Sequence, residues 1–221
     1  MSGDYTSPDF AASALITIDT QVDVLDGRPL EIAGTSAVLP RMTALAEAFR
    51  EARRPIVHIV RLYEADGSNV DLCRRAAVEE GWEVLAPGAA GSELAPGLLP
   101  SAEIRLDAER LLSGGIQQVG RGETVIYKPR WGAFFGTPLE DHLRGLGVST
   151  LLFCGCNFPN CPRTSIYEAS ERDFRVVMVA DALSGLYERG REEIAGIGVT
   201  VMESGELADA VAGPAHVATG A

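Results

Sequence analysis

Short apolar runs alternate with helical spacings along most of the chain, and few architectures accept that order. A strand buried on both faces reads as a continuous hydrophobic run, and such runs separated by helices specify a parallel sheet covered on both sides. Ala14-Leu-Ile-Thr-Ile18 is the first run. Val38, Leu39, Met42, Leu45, Ala46 and Phe49 follow at helical spacing. Pro55-Ile-Val-His-Ile-Val60 is the second strand, and residues 69–80 read as a helix. The strands Glu123-Thr-Val-Ile-Tyr127, Ser149-Thr-Leu-Leu-Phe-Cys154, Arg175-Val-Val-Met-Val179 and Val199-Thr-Val201 bring the number to six. Helices are expected to open at Thr137-Pro-Leu-Glu140, which has the form of a capping box with proline at the first helical position, and to run over 162–172 and 188–197. The fold class is therefore α/β, a three-layer αβα sandwich around a mainly parallel six-stranded sheet. No repeat or composition break divides residues 1–221, so one domain is expected. Residues 81–121, rich in proline and glycine, read as an irregular insertion that serves as a lid or an interface. The small, polar tail after Ala212 is expected to fray.

A formal charge of −12 argues against nucleic acid and against anionic membrane surfaces, both of which call for a basic footprint. The first twelve residues are polar, with Asp4 and Asp9, and form neither a signal peptide nor an Arg-rich transit peptide. No apolar stretch reaches the roughly 20 residues that span a bilayer. A cytoplasmic location is the default expectation. Cys73, Cys154, Cys156 and Cys161 then read as thiols, and their spacing with His58, His142 and His216 fits no zinc pattern.

In an open parallel sheet, ligands bind beyond the carboxyl ends of the strands, and three of those ends carry reactive groups. The first strand delivers Asp19, which is either a turn residue or a base able to take a proton from a thiol. The third full strand delivers Lys128, the one lysine among 19 basic residues. A compact ammonium differs from a planar guanidinium, so in a chain this biased towards arginine Lys128 is either a position where arginine is not acceptable or a chance survivor on the surface. After the fourth strand comes Cys161, just before Pro162. Proline favours a first helical position, which makes Cys161 the expected helix N-cap, with its sulfur near unpaired amides that favour thiolate and lower its pKa. Trp131, Phe134, Phe135 and Phe158 read as pocket walls or plain core. Arg61, Arg130 and Arg163 read as clamps for a substrate carboxylate, or as ordinary surface charges and ion pairs.

Together these pieces resemble the isochorismatase-like cysteine hydrolases, a superfamily that includes nicotinamidases and N-carbamoylsarcosine amidase. Asp19, Gln21 and Asp23 match an Asp-x-Gln-x-Asp stretch; Lys128, Phe134, Thr137 and Leu139 match the lysine, aromatic turn and helix start. Gly155 and Cys161 match the nucleophile turn, and Asp181-Ala182 a later pair. The resemblance implies Asp19 as base, Lys128 as the cation holding it, and Cys161 as the nucleophile of a covalent acyl-enzyme. It also implies a cis peptide between Cys156 and Asn157, with the backbone amides of Asn157 and Cys161 forming an oxyanion hole. Gln21, Arg61, Trp131, Phe135 and Phe158 are the expected substrate contacts. Nicotinamidases carry a metal site between the second strand and the lysine, where this chain has no histidine from Arg61 to Arg121. The turn also departs from the usual one in Phe158-Pro-Asn160 and Pro162. True isochorismatases lack the cysteine. The resemblance thus implies a cofactor-free and metal-independent hydrolase of C–N bonds in small amide, ureido or carbamoyl compounds, expected as a homodimer or homotetramer. The alternatives are enol-ether hydrolysis with Asp19 as general acid, and a non-catalytic thiol protein that binds ligands or senses redox state through Cys156 and Cys161.

Overall fold

Two strands leave the middle of the sheet side by side, and everything else is built outward from them. In the computed structural model, which describes residues 4–212, these are β1 (Ser13–Ile18) and β5 (Thr150–Gly155), paired in parallel along their whole length. Every residue of both is buried. On one side β2 (Ile56–Val60) pairs with β1, and β4 (Glu123–Tyr127) with β2. On the other, β6 (Arg175–Leu183) pairs with β5, and β7 (Thr200–Met202) with β6. All these pairs are parallel, as continuous apolar runs require. A seventh strand, β3 (Gln117–Gly120), closes the β4 edge and is antiparallel, giving the order β3-β4-β2-β1-β5-β6-β7. The expected six strands thus become seven. The added one is a polar edge strand, with no apolar run to announce it.

Helices cover both faces. Leu139 and Leu143 of α4 (Leu139–Gly145), Ile166 and Ala169 of α5 (Cys161–Ser170), and Ile194 of α6 (Glu188–Ala195) pack with β1 residues Ala14, Ile16 and Ile18. The opposite face receives Met42, Leu45 and Phe49 of α1 (Thr35–Glu51), Leu111 of α3 (Ala108–Leu112), and Leu207 and Val211 of α7 (Ser204–Ala212). Between β2 and the 81–121 segment lies α2 (Leu72–Glu79). The α7 helix has no counterpart among the expected elements; its N-terminus is held by Asp181, whose carboxylate accepts from the Ser204 amide and hydroxyl, both at 2.7 Å. Only half of the expected capping box forms: the Thr137 hydroxyl accepts from the Leu139 amide at 3.3 Å, but Pro138 is the N-cap. The same hydroxyl donates to the Ala133 carbonyl at 2.6 Å and α4 begins two residues after Thr137, while Glu140 turns to Arg172.

The 81–121 segment is not irregular throughout, since it contains α3 and β3. It is bound to the sheet rather than laid over it: Leu94, Ala95, Leu98, Leu106 and Leu111 enter the core, and the Ala95 amide donates to the Thr20 carbonyl at 2.9 Å. The tail after Ala212 lies outside the described residues.

Candidate active site

The ends of β1, β4 and β5 place three side chains together. Asp19 follows β1 with φ of 50°, the left-handed region that an aspartate enters at a cost of about 1 kcal/mol. Both neighbouring strands hold it there. Its amide donates to Ile59 O at 2.9 Å, and its carbonyl accepts from Cys156 Sγ at 3.0 Å. Lys128 follows β4, anchored by its amide on Val60 O at 3.0 Å. Its side chain is fully buried, with Nζ 2.8 Å from Asp19 Oδ2 and 3.2 Å from the Arg130 carbonyl. The other oxygen, Asp19 Oδ1, is buried and has no hydrogen-bond partner among the described residues.

Cys161 opens α5, and Asn160 occupies the N-cap. The expected N-cap cysteine is therefore the first helical residue, with Pro162 at the second position. Between β5 and α5 the Cys156–Asn157 peptide is cis. The amides of Asn157 and Cys161 donate to no described acceptor. The turn after Lys128 is tied to α5 by Ser165 and Glu168. Ala133 N donates to Ser165 Oγ at 3.0 Å, Ser165 Oγ to Cys161 O at 2.7 Å, and Phe134 N to Glu168 Oε2 at 2.9 Å. Lysine turn and cysteine helix form one unit.

A narrow crevice is lined by Asp19, Arg61, Tyr63, Arg74, Trp131, Cys156, Asn157, Asn160 and Cys161, with Val24, Leu30, Ile32 and Leu85 as its apolar wall. Burial, reinforced by the charge of Asp19, pushes the Cys161 thiol up to about 12. Lys128 and Arg61 pull the other way without prevailing. The expected lowering is overturned because the thiol is 9% exposed and faces a carboxylate. Cys161 rests as a thiol in the crevice that Asp19 also lines. Burial likewise raises Cys156, which stays a thiol donating to the Asp19 backbone.

Of the expected substrate contacts, Arg61 and Trp131 line the crevice and three do not. Gln21 is spent on the backbone: Nε2 donates to Arg61 O at 2.8 Å and Ser92 O at 2.6 Å, and Oε1 accepts from Arg61 N at 2.8 Å. It clamps β1, β2 and the 81–121 segment together. Asp23, two residues on, accepts from Leu85 N at 2.7 Å to the same end. Phe158 is wholly buried in the core, edge-on to Tyr187 with centroids 5.6 Å apart. Phe135 is 58% exposed and belongs to an outer patch with Leu72 and Arg130. Arg163 pairs with Glu193 at 2.6 Å, and Arg130 bonds the Asn69 and Pro129 carbonyls, so neither faces the crevice.

Sequence reasoning missed Asp71, Tyr63 and Arg74. Asp71 Oδ2 lies 2.5 Å from Arg61 Nη2, accepts from Tyr63 Oη at 3.1 Å and lies 3.5 Å from Arg74 Nη1. Burial pushes the Tyr63 hydroxyl up to about 12 against the pull of Arg61, which keeps it a donor. Nε and Nη1 of Arg61 remain buried without partners among the described residues, an arrangement that costs about 1–3 kcal/mol for each unpaired donor. Among the described residues no group of three or more His, Cys, Asp or Glu side chains is placed to hold a metal ion.

The sequence profile of the isochorismatase domain matches residues 13–203. An isochorismatase family protein of known structure from Desulfovibrio vulgaris superimposes with a TM-score of 0.77 at 32% identity, over 91% of this chain and 98% of that one. A probable inactive nicotinamidase of Arabidopsis thaliana is 28% identical over 175 residues, 77% of this chain and 79% of its own length. The ureidoacrylate amidohydrolase of Methylobacterium radiotolerans is 26% identical over 193 residues, 79% of this chain and 67% of its own. With a profile match spanning β1 to β7 and a superposition over nearly the full length of a solved member, this chain belongs to the isochorismatase family of hydrolases.

Proposed function

We propose that the protein is a cysteine hydrolase that cleaves the C–N bond of a small amide, ureido or carbamoyl compound through a thioester on Cys161. The single observation that carries this reading is the sharing of Asp19. Lys128 holds one carboxylate oxygen at 2.8 Å, and the other is unpartnered in the crevice that Cys161 enters. A relative of similar sequence bears the name of an amidohydrolase, which points the same way.

The step balances with these groups alone. Asp19 takes the thiol proton as Sγ attacks the carbonyl carbon. The oxyanion that develops is received by the free amides of Asn157 and Cys161, fixed donors that need no reorganisation. The C–N bond then breaks, and the departing nitrogen leaves with the proton held on Asp19. Water attacks the thioester, gives its proton to Asp19 and expels Sγ, which is reprotonated. Lys128 keeps the carboxylate oriented and offsets its charge in both half-reactions.

The test is turnover of a panel of small amides and ureido compounds by the intact protein and Cys161→Ala, with mass spectrometry of the quenched enzyme. We expect an acyl mass increment on the peptide carrying Cys161, and at least a roughly 1,000-fold loss of turnover in the variant. Unimpaired turnover in Cys161→Ala would exclude the thioester route and favour acid catalysis by Asp19.

A further inference from the structure

Arg61 is the one buried cation of the crevice with free valence. It is 3% exposed, two of its three nitrogens have no partner among the described residues, and it lines the same crevice as Cys161 and Asp19. Its third nitrogen is fixed on Asp71, which is held in turn by the Tyr63 hydroxyl. The guanidinium carbon stands 5.2 Å from the centre of the Tyr63 ring. The group is thus immobilised before any ligand arrives, so binding costs it little rotamer entropy.

The charge count at the crevice points to the chemistry that would fit. Asp19 is matched by Lys128, and Asp71 is shared between Arg61 and Arg74. Cys161 rests neutral. One positive charge is left over in a protein whose net charge is −12. A neutral amide group could accept a hydrogen bond from the free nitrogens and leave that charge unanswered. A carboxylate answers both, and arginine binds carboxylates through several N–H groups at once.

We propose that Arg61 is the specificity determinant of the crevice and receives a carboxylate of the substrate, so that the bond cleaved at Cys161 belongs to a small amide acid rather than to a neutral amide. Tyr63, Asp71 and Arg74 are positioning residues for that guanidinium. The identity of the scissile bond rests on the hydrolase reading above; the anion site does not.

Two measurements test this. Succinamate is compared with succinamide, and N-carbamoylglycine with N-carbamoylglycinamide, pairs that differ only in carboxylate against amide. The intact enzyme is expected to prefer the acid in kcat/KM by at least about 10-fold, and Arg61→Gln to bring that ratio close to one, with Arg61→Lys between them. Separately, succinate is titrated by calorimetry into Cys161→Ala and into the same variant carrying Arg61→Gln. Saturable binding in the first and at least a roughly tenfold weakening in the second is the expected result. Equal use of acid and neutral partners, absence of succinate binding, or binding indifferent to Arg61→Gln would overturn the proposal. Arg61-dependent binding of succinate without turnover of any amide would instead overturn the hydrolase reading and leave the anion site standing. If Arg61→Gln melts early because Asp71 is left facing fewer cations, the pair Arg61→Gln/Asp71→Asn removes both charges and repeats the comparison.

Discussion

An ammonium enclosed on all sides must be matched, and Asp19 matches Lys128 with a single oxygen. Taking two charges out of water costs several kcal/mol per ion, which their attraction repays only at good geometry. That is a poor bargain for stability alone, and it is consistent with a pair kept for chemistry. Arginine at this position would need space for a planar fork where the side chain has no exposed surface. We expect Lys128→Arg to lose at least about 100-fold in turnover, as happens when a fixed electrostatic partner of the reacting groups is displaced. A steady-state assay beside a thermal melt separates this from unfolding, and near-normal turnover would remove Lys128 from the mechanism. Asp19 and Lys128 were legible because each stands at the end of an apolar run, and Cys161 because it stands before a proline that opens a helix. Everything set by distant partners was illegible. Gln21 looks like a polar residue aimed at a pocket until Ser92 and the Arg61 backbone claim its amide. Phe158 looks like a pocket wall until Tyr187 and the core enclose it. The pairing of Arg61 with Asp71 leaves no spacing signal at all.

At the level of elements, the site depends on how closely β5 approaches β1. Gly155 ends β5 with φ of 127°, and a Cβ there would lie 2.2 Å from the Ile18 carbonyl oxygen. No flexible side chain can yield at that contact; the backbone that delivers Asp19 would have to move. Gly155→Ala is expected to destabilise the fold by about 2 kcal/mol or more and to depress turnover beyond what the stability loss explains. Gly145→Ala in α4 is the control. That glycine is exposed and its Cβ would meet nothing within 4 Å, so a gain of about 0.5–1 kcal/mol is expected. Urea midpoints and kcat for the two variants decide the matter, and equal behaviour would mean that the β1–β5 approach does not set the site. The strands were legible wherever burial on both faces made the run continuous. β3 was not, because Gln117 and Gln118 belong to an edge with one neighbour and partial exposure. The 81–121 segment misled for a related reason: its leucines enter the core singly, from turns, and produce no periodicity.

For the molecule as a whole, the buried thiols set a limit on the alkaline side. Cys154 and Cys161 are pushed up to about 12 and Cys156 is raised well above its ordinary value, each chiefly by burial. In the unfolded chain the same thiols ionise near about 8.5. The folded state therefore keeps protons that the unfolded state gives up. The stability that these groups contribute is fully present below that value and is lost as pH rises towards 12. Each thiol adds a slope of up to about 1.4 kcal/mol per pH unit in that window. We expect the urea midpoint to fall steeply between about pH 8.5 and about pH 10.5 and Cys154→Ala to flatten part of the fall. A flat profile over that range would show that the thiols titrate normally in the native protein. The described helices include none long and apolar enough to cross a membrane. At its borders the sheet stops in β7, three residues long, and in β3, four residues long with a register break between Gln118 and Gly120. A stray extended peptide arriving at either border would find almost no ladder to zip onto, which guards a largely parallel and slow-forming sheet against growing sideways into its neighbours.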